Sequence, residues 1–157
     1  MRGFDRSNFR QSIRLRVRNY EIDWQGIVHN AVYLLYFETG RLAYLEQIGV
    51  PVNVEAIRGE SRVVVARNEI DYITPARFGE ELEVLTRVAA IGNSSFTFEG
   101  MIEAVGEGRQ VARNVSVHVW LDGQSGAPVR VGDDFRRRVA GFEGPQAEGT
   151  AGTSRSG

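Results

Sequence analysis

The segment from residue 20 to residue 30, YEIDWQGIVHN, concentrates the side chains that could carry out chemistry. Asp23 precedes Asn30 by seven residues, and Asn30 opens a stretch with the apolar density of a helix. The first turn of a helix has unpaired N–H donors and the positive end of the helix dipole, which suit a developing oxyanion. A carboxylate folded back beside those donors could activate water or attack a carbonyl carbon. The pattern therefore indicates acyl transfer.

Each residue of this segment also has a purely structural interpretation. Asp23 could form a turn or a cap, and Gly26 could supply a backbone conformation that other residues avoid. Trp24 could pack at the base of the loop. His29, directly before the expected helix, is open to capping, to packing or to a functional contact. Residue types alone do not separate these interpretations from catalysis.

The composition excludes several other classes of chemistry. The chain has 157 residues, a formal net charge of −1, no cysteine and no lysine, and all 19 of its basic residues are arginine. Thiol nucleophiles, thiolate metal ligands, Schiff-base lysines and P-loop lysines are therefore excluded. Because His29 and His118 are the only histidines, we expect no metal site and no separate cofactor.

The charge pattern also limits the partners that we expect. A nearly neutral chain lacks the basic excess of a nucleic-acid-binding protein. The first 19 residues carry charges throughout, unlike a secretory signal, and no apolar run approaches the roughly 20 residues that span a bilayer. We therefore expect a cytoplasmic protein with a small-molecule substrate and neither a nucleic-acid nor a membrane partner.

The periodicity of apolar residues predicts an α+β fold. Alternation predicts a strand at 12–17, and dense apolar residues predict a largely enclosed helix from Asn30, its expected N-cap, to Ile48. Further alternating segments and the turns between them predict four antiparallel strands and a short helix, at 62–74, 81–91, 96–104, 111–121 and 133–140. A single apolar helix must lie against the face of such a sheet.

The chain is expected to form one domain, at 8–140. Residues 141–157 are rich in Gly, Ser and Thr, so we expect a disordered tail there. On the last strand, Val115, Val117 and Val119 alternate with His118 and its neighbours. We expect the valines to be buried and His118 to be a surface or subunit-contact residue.

The chain resembles the 4-hydroxybenzoyl-CoA thioesterase family of hotdog-fold acyl-CoA hydrolases. The resemblance covers about 12–140 and depends mainly on one motif, Glu21-x-Asp23-x-x-Gly26-Ile27-Val28-x-Asn30-x-x-Tyr33-Leu34-x-Tyr36-Phe37-Glu38. Segments 71–84 and 121–130 are also similar to the family. The order of residues departs from members that carry Tyr-His before the helix, because this chain has His29-Asn30 there.

The resemblance implies a hotdog fold, in which a curved antiparallel sheet wraps around one long helix. It also implies a homodimer, or a tetramer built from two such dimers, with active sites at the subunit interface. Asp23 corresponds to the catalytic nucleophile or general base, and the backbone amide of Asn30 corresponds to the group that polarises the carbonyl. Arginines near the mouth of the site are expected to bind the phosphates of CoA, which is part of the substrate. The expected substrate-binding residues are Trp24, Gly26, Ile27, His29 and Tyr33.

Three functions remain open at this point. The first is hydrolysis of an acyl thioester of CoA, or of acyl carrier protein, through Asp23. The second is binding of an acyl thioester or another small ligand on the same scaffold, without catalysis. The third is a hotdog dehydratase, for which His29 and Glu38 are the nearby candidates, although their surroundings do not resemble the dehydratase pattern.

Overall fold

The computed structural model describes residues 4–53, 59 and 61–144. It contains five strands and two helices, in the order β1 (Gln11–Arg16), α1 (Val32–Gln47), β2 (Ser61–Tyr72), β3 (Glu81–Ile91), β4 (Ser95–Ala104), β5 (Gln110–Asp122) and α2 (Asp133–Glu143). Short 3-10 turns lie at Arg6–Asn8 and Asn19–Glu21. This is the α+β architecture that the sequence predicts.

The five strands form one antiparallel sheet in the order β1-β3-β4-β5-β2. The bounds predicted for β3 are confirmed, and its burial alternates as predicted in the first half of the strand except at Leu85, which is also buried. Register shifts near Ala66 on β2 and Ala89 on β3 mark β-bulges, which bend strands and increase their twist. β1 and β2 are the two edges of the sheet, and β2 is largely exposed.

Helix α1 packs with one face on the sheet, mainly against β3, β1 and β4. The buried side chains of the helix are Tyr33, Tyr36, Phe37, Gly40, Arg41 and Tyr44. The opposite face is apolar but open, because Leu34, Leu35 and Leu42 are exposed, Leu35 to 59%. The prediction of a largely enclosed helix is therefore wrong for the single chain, since the wide apolar arc extends onto a face that the described residues leave uncovered.

Two glycines set the distance between α1 and the sheet. A Cβ added at Gly40 would lie 2.6 Å from Oγ1 of Thr86 and 2.9 Å from Cγ1 of Val84. A Cβ added at Gly100 on β4 would lie 2.6 Å from the ring of Phe37 on the helix. Both distances are shorter than a van der Waals contact, so each glycine permits a close approach that no other residue would allow.

The helix-facing side of β5 is polar, contrary to the prediction for this strand. Asn114, Ser116 and His118 are buried on the face that Arg41 of α1 contacts, and the valines between them face the other side of the sheet. His118 is only 7% exposed, shares a hydrogen bond of 3.0 Å with Ser116, and stacks on Phe96. The expectation of a surface histidine is wrong in the single chain, because alternation shows which residues share a face but not which face is buried.

The environment of His118 disfavours its charged form. Burial, reinforced by the nearby guanidinium of Arg41, lowers the pKa of His118 from 6.5 to about 4. Burial also lowers the pKa of Arg41, whose guanidinium donates a long hydrogen bond of 3.4 Å to Asn114. A neutral histidine beneath the helix avoids placing a second positive charge beside Arg41.

Residues on both sides of 8–140 also contact the sheet or α1. Near the start of the chain, Arg6 forms ion pairs with Glu83 and Glu103. Near the end, α2 continues to Glu143, whose carboxylate accepts a hydrogen bond of 2.8 Å from the hydroxyl of Tyr44. The part of the predicted tail beyond Gly144 lies outside the described residues.

The close approach at Gly40 predicts a specific loss of stability. Gly40→Ala should lower the free energy of unfolding by about 1–3 kcal/mol, the usual cost of overpacking. Gly141→Ala is the matched control, because Gly141 is also helical and a Cβ there meets no atom within 4 Å. That control should be neutral or stabilising by up to about 1 kcal/mol. Chemical denaturation measures both, and equal effects of the two substitutions would contradict the role of Gly40.

The buried histidine predicts a loss of stability in acid. The unfolded chain binds a proton at His118 near pH 6.5, whereas the folded chain does so only near pH 4. This contribution is therefore complete above pH 6.5 and is lost as the pH falls toward 4, by an amount on the order of 3 kcal/mol. Denaturation curves at several pH values should show a steeper decline for the native chain than for His118→Gln. Parallel curves would refute this assignment.

Candidate active site

The loop between β1 and α1 folds back on itself and presents Asp23. Isolated bridges join Ile22 to Val28 and Ile27 to Arg77, so the loop is paired within itself and with the segment before β3. The amide of Asp23 donates to the carbonyl of Ile27 at 2.8 Å. Gly26 lies in the turn with a φ of 78°, a left-handed conformation that favours glycine. These contacts give the loop a fixed course.

The carboxylate of Asp23 is partly buried. It accepts a hydrogen bond of 2.7 Å from the amide of Gln25, which fixes the orientation of the side chain. An Asx turn of this kind is the structural role considered for Asp23 from the sequence. The turn occupies one carboxylate oxygen, and an ionised carboxylate has further lone pairs available for a ligand.

His29, rather than Asn30, caps the start of α1. The ring Nδ1 of His29 accepts from the amide of Ala31 at 3.1 Å, and its carbonyl accepts from the amide of Val32 at 2.9 Å. The helix begins at Val32 with Ala31 in the N-cap position, so the prediction that Asn30 is the N-cap is wrong. Within the part of the chain that the structure describes, the backbone amide of Asn30 donates to no acceptor.

A cleft of about 480 Å³ opens where the loop, the start of α1 and the end of β2 meet. Its lining consists of Asp23, Ile27, Val28, His29, Asn30, Tyr33, Tyr72, Ile73, Thr74 and Pro75. The hydroxyl of Tyr72 donates to the carbonyl of Asn30 at 3.0 Å, which ties the end of β2 to the helix start. An acidic side chain and the positive end of a helix thus open into one cleft.

Five of the seven residues proposed from the sequence meet in this cleft. Those five are Asp23, Ile27, His29, Asn30 and Tyr33. Gly26 and Trp24 are absent from the lining, and the indole of Trp24 is 92% exposed. The contribution of 72–75 was missed from the sequence, although that segment is part of the family resemblance. The sequence feature that could have indicated this contribution is Pro75, which follows the predicted long strand. In the structure, the end of this strand meets the start of α1.

A buried carboxylate supports the loop from beneath. Glu21 accepts a hydrogen bond of 2.6 Å from the hydroxyl of Tyr36 and one of 2.8 Å from the amide of Arg18. Its carbonyl accepts from the amide of His29 at 2.9 Å. Burial and the adjacent carboxylate of Glu21 raise the pKa of Tyr36, so its hydroxyl remains a donor at neutral pH. Glu21 therefore links the segment that follows β1, the loop and α1.

Residues 4–53, 59 and 61–144 contain no obvious metal centre. In these ranges, no three or more His, Asp or Glu side chains lie together in a way that could hold a metal ion. None of the helices in the same ranges is long and apolar enough to cross a membrane.

The sequence profile of one family matches residues 17–139. This match spans most of the chain and includes the loop, the helix and all strands except β1. The chain belongs to the thioesterase-like superfamily. The profile is broader than the 4-hydroxybenzoyl-CoA subfamily, so the resemblance stated from the sequence is confirmed at the level of the superfamily.

Relatives of this thioesterase-like protein include a plant protein and a bacterial protein that are both named thioesterases. It is 31% identical over 131 residues to the chloroplastic acyl-acyl carrier protein thioesterase ATL2 of Arabidopsis thaliana, covering 83% of this chain and 69% of the relative. A thioesterase from Thermus thermophilus, solved in complex with coenzyme A and Zn, is 34% identical with a TM-score of 0.75. That match covers 87% of this chain and 96% of the other.

More distant structures confirm the fold of this thioesterase-like protein. A 1,4-dihydroxy-2-naphthoyl-CoA thioesterase from Synechocystis has a TM-score of 0.77 at 16% identity, with 85% of this chain and 98% of the other covered. At that identity the likeness concerns the fold alone. The predicted hotdog fold, a curved sheet with one long helix packed on it, is therefore confirmed.

Proposed function

We propose that this protein hydrolyses acyl-CoA thioesters to the free acid and CoA. The observation that supports this most directly is the cleft into which the carboxylate of Asp23 and the N-terminus of α1 both open. Membership of the thioesterase-like superfamily supports the same reaction class. CoA enters as part of the substrate, and the proposed reaction uses no separate cofactor.

The helix start supplies the electrostatic part of the reaction. The backbone amide of Asn30 is a donor without an acceptor among the described residues, and it lies at the positive end of a helix of 16 residues. The thioester carbonyl oxygen would accept from this amide and gain negative charge as the carbon becomes tetrahedral. A donor already in place stabilises that charge without reorganisation, which is the largest contribution in many acyl-transfer enzymes.

Asp23 supplies the reactive carboxylate in one of two ways. As a general base, it takes a proton from water while the oxygen attacks the carbonyl carbon, and the C–S bond breaks to release the thiolate, which is then protonated. As a nucleophile, it attacks the carbonyl carbon and forms a mixed anhydride as the C–S bond breaks and the thiolate of CoA leaves and is protonated, and water cleaves the anhydride in a second step. Label found in the Asp23 side chain after single turnover in isotopically labelled water would identify the anhydride route, because only water attack on the carboxyl carbon of Asp23 in the anhydride places it there.

The carrier of the acyl group has two candidates, because CoA and acyl carrier protein present the same pantetheine arm. The relatives include an acyl-acyl carrier protein thioesterase, and one solved relative was crystallised with coenzyme A. We propose CoA, whose nucleotide phosphates would be bound by arginine because the chain has no lysine. Parallel assays with one acyl group on each carrier test this choice.

We also propose that the protein acts as a homodimer joined through β2, alone or as half of a dimer of dimers. β2 is an edge strand of 12 residues, and Val63, Val64 and Val65 in its apolar run are 43–48% exposed. An exposed edge of this length is a template for pairing with another strand. Because Tyr72 and the residues after it line the cleft, such a dimer would place the cleft beside the subunit interface.

The proposed role of Asp23 predicts the effect of one isosteric substitution. Asp23→Asn should lower kcat for hydrolysis across a panel of acyl-CoA substrates by roughly 100-fold or more, the scale of removing a general base. Asp134→Asn is the matched control, because Asp134 is an exposed carboxylate on α2 and is absent from the cleft lining. Equal activity of Asp23→Asn and the native chain would disprove this mechanism. Tight binding of acyl-CoA without turnover by the native chain would favour the non-catalytic alternative.

The proposed dimer predicts a change of mass on substitution in β2. Sedimentation should give the native protein about twice the chain mass of 17.5 kDa, or four times for a dimer of dimers. Val64→Lys should shift the population toward the single chain by placing a charge on the edge strand. Val52→Lys, at a residue of similar exposure outside the sheet, should leave the mass unchanged. A native protein that sediments as a single chain would contradict the proposal.

A further inference from the structure

The two ring nitrogens of His29 have different surroundings. Nδ1 accepts a hydrogen bond of 3.1 Å from the amide of Ala31. Nε2, on the opposite edge of the ring, bonds to none of the described residues. The side chain is exposed and belongs to the lining of the cleft that contains Asp23. His29 therefore has one nitrogen committed to the helix and one available to a ligand.

The bond to Ala31 determines which nitrogen carries the proton. A nitrogen that accepts a hydrogen bond has no proton of its own, and a neutral imidazole carries its single proton on the other nitrogen. Nε2 of His29 is consequently an N–H donor. The helix cap thus converts a residue with two possible tautomers into a donor of defined position.

The backbone of His29 is held on both sides. Its amide donates to the carbonyl of Glu21, and its carbonyl accepts from the amide of Val32, each at 2.9 Å. Glu21 is itself fixed by Tyr36 at 2.6 Å. With the backbone and one ring nitrogen restrained, the orientation of the ring is set before a ligand arrives, which lowers the cost of forming a further hydrogen bond.

The donors and the acceptor in the cleft have complementary tasks. Asp23, when ionised, can only accept hydrogen bonds. It can therefore bind water or attack the carbonyl carbon, but it repels the carbonyl oxygen. The amide of Asn30 and Nε2–H of His29 belong to adjacent residues and can only donate. An oxygen that gains negative charge during the reaction is the partner that two such donors fit.

We propose that Nε2–H of His29 donates a hydrogen bond to the thioester carbonyl oxygen, as a second donor beside the amide of Asn30. This inference rests on the proposed function and extends it from one oxyanion donor to two. It makes His29 a catalytic residue by direct contact with the substrate, in addition to its contact with the helix.

Two substitutions separate the role of His29 as a hydrogen-bond donor to the substrate from its role as a cap of α1. His29→Asn retains an acceptor for the amide two residues along, as in an Asx turn, but its side chain is shorter than an imidazole and lacks Nε2. His29→Ala removes the acceptor and the donor together. Thermal unfolding measures the cap: Tm should fall by a few degrees for His29→Ala and remain near the native value for His29→Asn.

Steady-state kinetics measure the contribution of the Nε2–H donor to catalysis. Both variants should lose roughly 10- to 100-fold in kcat/KM, the range expected for one hydrogen bond to a developing negative charge. The loss should appear in kcat rather than in KM, because the bond strengthens as the charge develops. If His29→Asn retains both the native Tm and the native kcat/KM, His29 is a helix cap alone and the inference is wrong.

A binding experiment tests the same contact without turnover. The first probe is a 2-oxoalkyl-CoA, in which a methylene group between the sulfur and the carbonyl prevents hydrolysis. The second is an alkyl-CoA thioether, which has no carbonyl. The native protein should bind the ketone more tightly, and His29→Asn should reduce that preference by about 2- to 10-fold. An unchanged preference would overturn the inference.

The two tests also separate this inference from the proposed function. A native chain that binds the ketone preferentially through His29 but releases no CoA from any thioester would support the donor and refute hydrolysis. A native chain whose hydrolysis depends on Asp23 but not on His29 would support hydrolysis and refute the donor. A native chain that binds neither probe would refute both.

Discussion

The close contact between α1 and the sheet is the constraint on which the rest of the structure depends. Gly40 brings the helix down to Thr86 and Val84, and Gly100 makes room for Phe37 on the helix. Close contacts at two points along its length restrict sliding of the helix over the sheet. Its N-terminus is thereby held at the end of β2, where the cleft forms. The close packing of α1 on the sheet thus sets the position of the positive, N-terminal end of the helix at the cleft.

Local periodicity was sufficient to predict the fold but not the orientation of every element. β3 followed the prediction because Glu81, Glu83 and Arg87 share one face, which favours burial of the opposite face. On β5 the valines alternate with Asn114, Ser116 and His118, and hydropathy favours burying the valines. The structure buries the polar set instead, and on that face Asn114 accepts a hydrogen bond from Arg41 of α1. This partner is 73 residues away in sequence, and no local pattern contains it.

The candidate site was predictable for a different reason. Asp23, His29, Asn30 and Tyr33 lie within one short segment, so a turn and a helix start are enough to bring them together. Tyr72 joins them only through the return of β2, which local reasoning does not position. The cap was assigned to Asn30 because asparagine is common at helix starts. The ring of His29 took that role instead, since its backbone was already paired with Glu21.

The exposed indole of Trp24 has a practical consequence for spectroscopy. Trp120, the other tryptophan of the chain, packs against Phe96 and Phe135 in the core, whereas Trp24 is 92% exposed on the loop that carries Asp23. A water-soluble quencher therefore reaches the two fluorophores unequally. The more readily quenched part of the emission comes from Trp24, next to Asp23, so the protein contains an intrinsic optical reporter of events at that loop and requires no added label.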